Sequence, residues 1–360
     1  MESVFTIPDL LGVPGLAWSV LLKVGVVLGF FLTAPLVIGY VEHKGLGKFQ
    51  DRVGPYEAGI GPIKGGVGQL PADGIKFLQK EDIIPRNADK WVFALAPGVT
   101  IIPSIVMLAV IPMGPGLYIE DLDAGLFFAL AVSSVSTIGI LMAAWSSANK
   151  FSLMGGIREA AQLIAYELPL VLAAAGVALQ AGSLSLVDIV MSQADFSLAG
   201  IVPIWFGLPQ AIGLGLFFVA SLAELNRPPF DIPIADAELI AGHMTEYTGL
   251  RFAFFLLTEY AGIVILSALM VVLYFGGWYP WPGFSFEVFD GVAGGTALAA
   301  LLGFAVTFGK ITILALVMIQ LRATFPRLRE DQLQRLAWLL FIPLALLQVV
   351  VIAIAKVASS

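Results

Sequence analysis

The chain has 360 residues, 59% of them hydrophobic and only 12% charged, with a formal net charge of -7. A water-soluble protein carries about 45–50% apolar and about 25% charged residues, so the composition excludes a soluble fold and makes lipid the main solvent. With no cysteine and two histidines, His43 and His243, set far apart in polar connections, the chain alone builds no disulfide, thiolate zinc site or iron–sulfur cluster and gives little basis for a haem.

The start, Met1, Glu2 and Ser3, lacks the basic region of a signal peptide, and the first apolar run reads as a membrane span. A membrane-length window predicts eight spans, at roughly 17–41, 91–112, 125–147, 157–181, 203–225, 250–276, 295–321 and 335–357. The connections alternate in charge. Those after the first, third, fifth and seventh spans carry basic residues, among them Lys44, Arg52, Lys76, Lys150, Arg158, Arg227, Arg251, Arg322, Arg327 and Arg329; the others hold only acids such as Glu120, Asp188 and Glu287. The positive-inside rule places the basic connections in the cytoplasm and both termini outside. Trp18, Trp91, Trp145, Trp205, Trp278, Trp281 and Trp338 fall near span ends, where they are expected to anchor in the headgroup region. Neither a phosphate-binding loop nor a dinucleotide glycine fingerprint occurs, since Gly45-Leu46-Gly47 and Gly66-Val67-Gly68 lack the third glycine and the strand context.

The connection 43–90 is too long for a simple turn. From Val67 to Lys80, Gln69, Asp73, Lys76 and Lys80 share one helical face, and Val67, Leu70, Gly74 and Leu78 another, the pattern of an amphipathic helix on the membrane surface. Such a helix is either a tether or a doorway for a lipid-soluble ligand. In the fourth span Glu159 and Tyr166 are nearly eclipsed on one face, with Gln162 beside them and Glu167 on the flank. Glu224 closes the fifth span, Glu259 lies in the sixth and Lys310 near the middle of the seventh. Buried carboxylates suit a proton path because desolvation raises their proton affinity, while a structural ion pair with Lys310 is the plainer alternative.

Four strings carry a resemblance. They are Arg52-Val53-Gly54-Pro55 with Asp73-Gly74-Ile75-Lys76 and Lys80-Glu81-Asp82; Asn149-Lys150-Phe151-Ser152 with Tyr166-Glu167-Leu168; Glu224-Leu225-Asn226-Arg227-Pro228-Pro229-Phe230-Asp231 followed by Asp236, Glu238, Glu246 and Tyr247; and Lys310 with Arg322-Ala323-Thr324-Phe325-Pro326-Arg327-Leu328-Arg329. In this order they resemble the family of respiratory complex I membrane subunits to which the first mitochondrial subunit and the bacterial H subunit belong, and they do so over essentially the whole chain.

The resemblance implies one all-α integral membrane domain over residues 1–360, with about eight transmembrane helices and a cytoplasmic-surface amphipathic helix. It implies a place in a proton-translocating NADH:quinone oxidoreductase of the bacterial inner membrane, with the connection 43–90 and the acidic loop 224–250 facing the cytoplasm. Quinone, as ubiquinone or menaquinone, is then a substrate. Glu42, Arg52, Asp73, Lys76, Arg322, Arg327 and Arg329 are the expected quinone-side groups. Glu167, Glu224, Asp236, Glu238, Glu246, Glu259 and Lys310 are the expected proton-coupling chain. Iron–sulfur clusters and FMN belong to partners in the peripheral arm, small and antiporter-like subunits flank the chain in the membrane, and no metal or nucleic acid is bound. The chain departs from the family at His43, where an arginine is usual, and at Ile234, where a glutamate is usual. Its third span also lacks an acid that some relatives have. The alternatives are the homologous anchor of a membrane-bound nickel–iron hydrogenase, a stand-alone ion transporter and a purely structural anchor.

Overall fold

Lipid offers no partner for backbone N–H and C=O groups, so a chain this apolar closes its hydrogen bonds inside helices. The computed structural model describes residues 15–59, 64–198, 202–233, 236–286 and 295–359. Its helices are α1 (Gly15–Phe49), α2 (Gln69–Gln79), α3 (Lys90–Val110), α4 (Gly125–Ser146), α5 (Lys150–Ala181), α6 (Leu186–Asp195), α7 (Ala211–Glu224), α8 (Asp236–Leu239), α9 (Gly249–Tyr274), α10 (Gly295–Thr324), α11 (Glu330–Leu336) and α12 (Ile342–Ser359). The one sheet among the described residues is a ribbon of β1 (Ser197–Leu198) and β2 (Val202–Pro203), antiparallel with Ser197 opposite Pro203. This is an all-α, multi-pass membrane protein.

Among the described residues, seven helices are long and apolar enough to cross a membrane, each on a predicted span. The fifth prediction, 203–225, is only partly helical, because Pro203 sits in β2 and α7 begins at Ala211, just past Pro209. At 1.5 Å per residue its 14 residues reach about 21 Å, short of a bilayer core of roughly 30 Å. By the same rule the 35 residues of α1 reach about 52 Å, so its last turns project beyond the apolar layer and carry Glu42, His43, Lys44 and Lys48. The last span runs continuously from Glu330 to Ala358, widening into a π turn at Ala337–Phe341. Pro343, which has no N–H to give, follows two residues later.

Helix α9 is the central post. Every side chain from Ile263 to Tyr274 is buried, as expected of a helix that is apolar all round. In lipid, burying a leucine gains little from leaving water, so helices associate through close packing and small residues. Gly155, Gly156, Ala160 and Ala165 supply that on α5, and Gly139 on α4 stands where a Cβ would run into Thr100 of α3. Helix α6, in an acidic connection read as a loop, caps itself: the Ser185 hydroxyl accepts from the Asp188 N–H at 3.2 Å, and Ile189 and Val190 are fully buried. Trp91, Trp145, Trp281 and Trp338 are exposed, as anchors should be, whereas Trp278 is in the core and Trp205 lies under the Lys310 ammonium at 4.1 Å.

The ends of α1, α4, α7 and α10 meet the starts of α3, α5, α9 and α11 at one end of the bundle, the end of the basic connections. There the Asp89 N–H donates to the Ser146 carbonyl at 3.1 Å. The candidate site is built at this basic end.

Candidate functional site

Helix α7 stops where the chain becomes Leu225-Asn226-Arg227-Pro228-Pro229. Asn226 takes φ +50, a left-handed conformation that asparagine tolerates. Its N–H donates to the Ala223 carbonyl at 3.2 Å and the Arg227 N–H to the Leu222 carbonyl at 3.1 Å, the paired bonds of a Schellman cap. This cap turns Arg227 inward, leaving the side chain 2% exposed.

Arg227 there meets Glu42 of α1. Its Nη1 lies 2.6 Å from Glu42 Oε1, its Nη2 3.1 Å from Glu259 Oε1 on α9, and its guanidinium 5.2 Å from the centre of the Tyr260 ring. Arg322, near the end of α10, also pairs with Glu42. Two guanidiniums thus balance two carboxylates where a lone buried charge would cost several kcal/mol. Capacity remains: Glu42 Oε2 and Arg227 Nε are buried without a hydrogen-bond partner among the described residues.

Beside this network is a cavity of about 110 Å³, into which Glu159, Glu224, Glu259 and His243 face. Glu159 is 1% exposed; its Oε1 accepts from Asn226 Nδ2 at 2.6 Å and its Oε2 lies 2.5 Å from His243 Nδ1. Gln162, one turn on, donates to the carbonyls of Ala223 and Phe230 at 2.7 and 2.9 Å, and Tyr166 to that of Leu333 at 3.1 Å. The face of α5 read from sequence spacing is therefore the buried one. Glu167, on its flank, is close enough for its charge to act on Glu224.

The other expected coupling residues lie elsewhere. Glu238 is at the surface, between Arg158 at 3.0 Å and Arg327. Arg158 also reaches Glu330 at 3.3 Å. The two arginines, the bond from Arg158 first, hold the Glu238 carboxyl below its ordinary value. Glu246 accepts from Asn149 Nδ2 at 2.5 Å in a shallow basin shared with Arg86 and Lys150. Asp236 opens α8, and Ile234 lies outside the described residues. Lys310 stands apart from the carboxylates: its ammonium donates to the carbonyls of Phe275, Gly277 and Tyr279 at 2.6, 3.0 and 2.6 Å. There it satisfies carbonyls just past the end of α9, where a cation complements the helix dipole.

Among the expected quinone-side groups, Glu42 and Arg322 are in the buried network. Arg327 is in the Glu238 clamp, Arg329 pairs with Asp331 at 3.1 Å on the surface, and Arg52 Nε donates to Gln50 at 2.8 Å. Asp73 accepts from Gln69 at 3.2 Å and lies 3.4 Å from Lys76 within α2, a helix without buried residues. Leu70 of α2 and Tyr260 of α9 converge on Gly39 of α1, within 3.1 and 3.6 Å of where its Cβ would stand. The sequence assigned no role to Arg227, Asn226 or His243; the capping asparagine and the two prolines were the available signal for the first two. Among the described residues no group of three or more His, Asp or Glu side chains is placed to hold a metal ion.

Comparison with known proteins gives one answer. The NADH dehydrogenase family pattern matches residues 22–353. The chain is 42% identical over 315 residues to the H subunit of NADH-quinone oxidoreductase from Geobacillus kaustophilus, covering 88% of this chain and 87% of that one. It is 42% identical over 331 residues to the corresponding H subunit from Geobacillus thermodenitrificans, covering 92% and 91%, and equally to that from Anoxybacillus flavithermus.

Proposed function

The chain belongs to the NADH dehydrogenase family, and from that premise we propose that it is the membrane subunit joining the two arms of a bacterial proton-pumping NADH:quinone oxidoreductase. Its role is to form a quinone passage and to start the path by which quinone reduction reaches the proton pumps. The observation that carries this reading is the junction of two features: the balanced Arg322–Glu42–Arg227–Glu259 network and the carboxylate cavity that shares Glu259 with it.

An isoprenoid tail suits the apolar approach between α1, α2 and α9, with Arg52, Asp73 and Lys76 at its polar mouth. Arg327 and Arg329 lie on the side where a peripheral arm would dock. Reduction of the headgroup takes up protons and changes the charge near Glu42 and Arg227. Glu259 feels that change directly, because it is paired with Arg227, and faces Glu224 across the same cavity. Glu167 continues the path toward the membrane arm, Asp236, Glu238 and Glu246 stand at its cytoplasmic entrance, and Lys310 supports it by fixing the end of α9.

Ubiquinone or menaquinone is the substrate in this reading. FMN and iron–sulfur clusters reside in peripheral-arm partners, and small and antiporter-like subunits carry the membrane arm. The basic connections face the cytoplasm across the inner membrane and both termini lie outside, as the charge alternation supports.

The test is to tag the chain in its native membrane, extract it in mild detergent, identify the co-purifying proteins and assay NADH:quinone reductase activity. An iron–sulfur flavoprotein assembly with that activity is expected. Recovery with nickel–iron hydrogenase subunits, or alone, would overturn the proposal.

A further inference from the structure

The coupling path just proposed uses neither Glu159 nor His243, yet no two titratable groups in the cavity wall are more closely placed. Glu159 Oε2 and His243 Nδ1 are 2.5 Å apart, with the residues 1% and 4% exposed. Their approach lacks hydrogen-bond alignment, so both atoms keep unused polar capacity although they are buried. Both residues face the cavity with Glu224 and Glu259.

The local fold brings them together. Gly155 on α5 lets the turn Gly242–Met244 approach so closely that a Cβ there would lie 2.6 Å from the Gly242 Cα. Ser152 Oγ donates to the His243 carbonyl at 3.2 Å, and Phe255 of α9 packs edge-on against the imidazole, ring centres 5.1 Å apart. Asn226 donates to the other Glu159 oxygen. Helix α7 presents Glu224 to the cavity and α9 Glu259, whereas α3 and α4 present hydroxyls, those of Thr100, Ser133 and Ser136 among them. Arg227 is turned toward Glu42 and Glu259, and Arg158 toward Glu238 and Glu330.

We propose that Glu159 and His243 form a proton-holding pair on the wall of the carboxylate cavity, able to exchange its proton with Glu224. With the proton on Nδ1, an imidazolium faces the Glu159 carboxylate and the pair is neutral. Passing that proton to the Glu224 carboxylate leaves neutral imidazole beside the Glu159 anion and a neutral acid at 224. The net charge of the cavity is unchanged and its position has moved. About 110 Å³ is room for several water molecules by the usual requirement of a polar site, enough to bridge the groups. The inference rests on the coupling role proposed for Glu224.

The test uses the whole complex, purified from membranes and reconstituted in vesicles. NADH:quinone reductase activity and proton uptake are followed across the pH range, with NADH:ferricyanide activity as the control for electron input. Glu159→Gln keeps the acceptor for Asn226 but removes the anion beside the imidazole, so coupled turnover and proton uptake should fall while ferricyanide activity is retained, and the pH profile should change shape. His243→Asn removes the partner of the Glu159 carboxylate, and the same loss of coupled proton uptake with an altered profile is expected. Profiles in both variants that keep the wild-type shape and merely scale would overturn the pair. Should His243→Asn fail to assemble, Glu159→Gln decides by the same criterion. Glu224→Gln separates the two failures: retained coupled turnover there brings down the coupling path, and the pair with it, whereas an uncoupled Glu224→Gln beside unaltered profiles brings down the pair alone.

Discussion

Glu42 and Arg227, 185 positions apart in sequence, form an ion pair at 2.6 Å in which neither side chain is more than 2% exposed. It ties the projecting end of α1 to the cap of α7. Because Arg227 also faces Glu259, removing it leaves two carboxylates with Arg322 as their remaining close cation. Arg227→Leu should therefore cost about 3–5 kcal/mol, as when one partner of a buried pair is lost, and reduce the yield of assembled complex severely. Arg227→Lys keeps the charge without the planar fork, so it should assemble with intermediate yield and inactivate at lower temperature than wild type. Yield and thermal inactivation of the purified complex check both.

Glu224→Gln preserves shape and removes one charge from the cavity. Coupled quinone reductase activity should fall about a hundredfold or more, within the range of about 10²–10⁴ that a positioned proton-transfer group contributes, while NADH:ferricyanide activity stays at the wild-type level. Steady-state assays on the same preparation measure both.

Hydropathy made the spans legible because lipid imposes one requirement on every residue of a helix at once, and helical spacing alone placed Glu159, Gln162 and Tyr166 on one buried face. What escaped depends on contacts between distant segments. Glu238 reads as one more acid in an acidic loop until Arg158, 80 positions before it, and Arg327, 89 after it, close on it. Lys310 looks like an intramembrane charge seeking a glutamate, yet three backbone carbonyls satisfy it. Helix α6 is readable in Ser185 and Asp188, a capping pattern, but its 10 residues fall short of a membrane-length run.

The Glu238 clamp has a defined pH dependence. Its carboxyl is held below the ordinary 4.5 by the hydrogen bond from Arg158 and by the charge of Arg327. A depressed value means the contribution is present above the ordinary value and is lost as pH falls through the lowered one. The difference in thermal inactivation between wild type and Glu238→Gln should be small at neutral pH, as for exposed pairs. It should stay constant on acidification to about 4.5 and vanish below that. A difference that grows toward low pH would contradict the clamp.

Tyr247 repairs a defect made by a proline. Pro97 interrupts α3 and has no N–H for the carbonyl four residues back, which is that of Phe93. The Tyr247 hydroxyl donates to this carbonyl at 3.2 Å, and its ring stacks on Phe93 at 4.0 Å. Burial pushes the phenol up to about 12, so it keeps its proton throughout the working pH range. Tyr247→Phe retains the stack and strands the carbonyl, at a cost of about 1–3 kcal/mol. A lower inactivation temperature with an unchanged pH profile is the expected result.

Gly155 sets the distance between α5 and the turn that carries His243. A Cβ at this position would fall 2.6 Å from the Cα and 2.9 Å from the carbonyl carbon of Gly242, and 3.2 Å from the backbone nitrogen of His243. These are backbone atoms, so no side-chain rotation relieves the clash and the turn itself must retreat. Gly242, at φ +55, holds a conformation that a side chain would strain, which limits how the turn can readjust. Gly155→Ala should accordingly separate Glu159 from His243 and cost about 1–3 kcal/mol of overpacking. Alanine is otherwise the better helix former by roughly 1 kcal/mol, so a stabilised variant would show that the turn can move freely. The expected variant is less heat-stable, and its coupled activity falls further than its ferricyanide activity. Equal losses in the two would mean that Gly155 serves packing alone and that the spacing of the pair is immaterial to turnover.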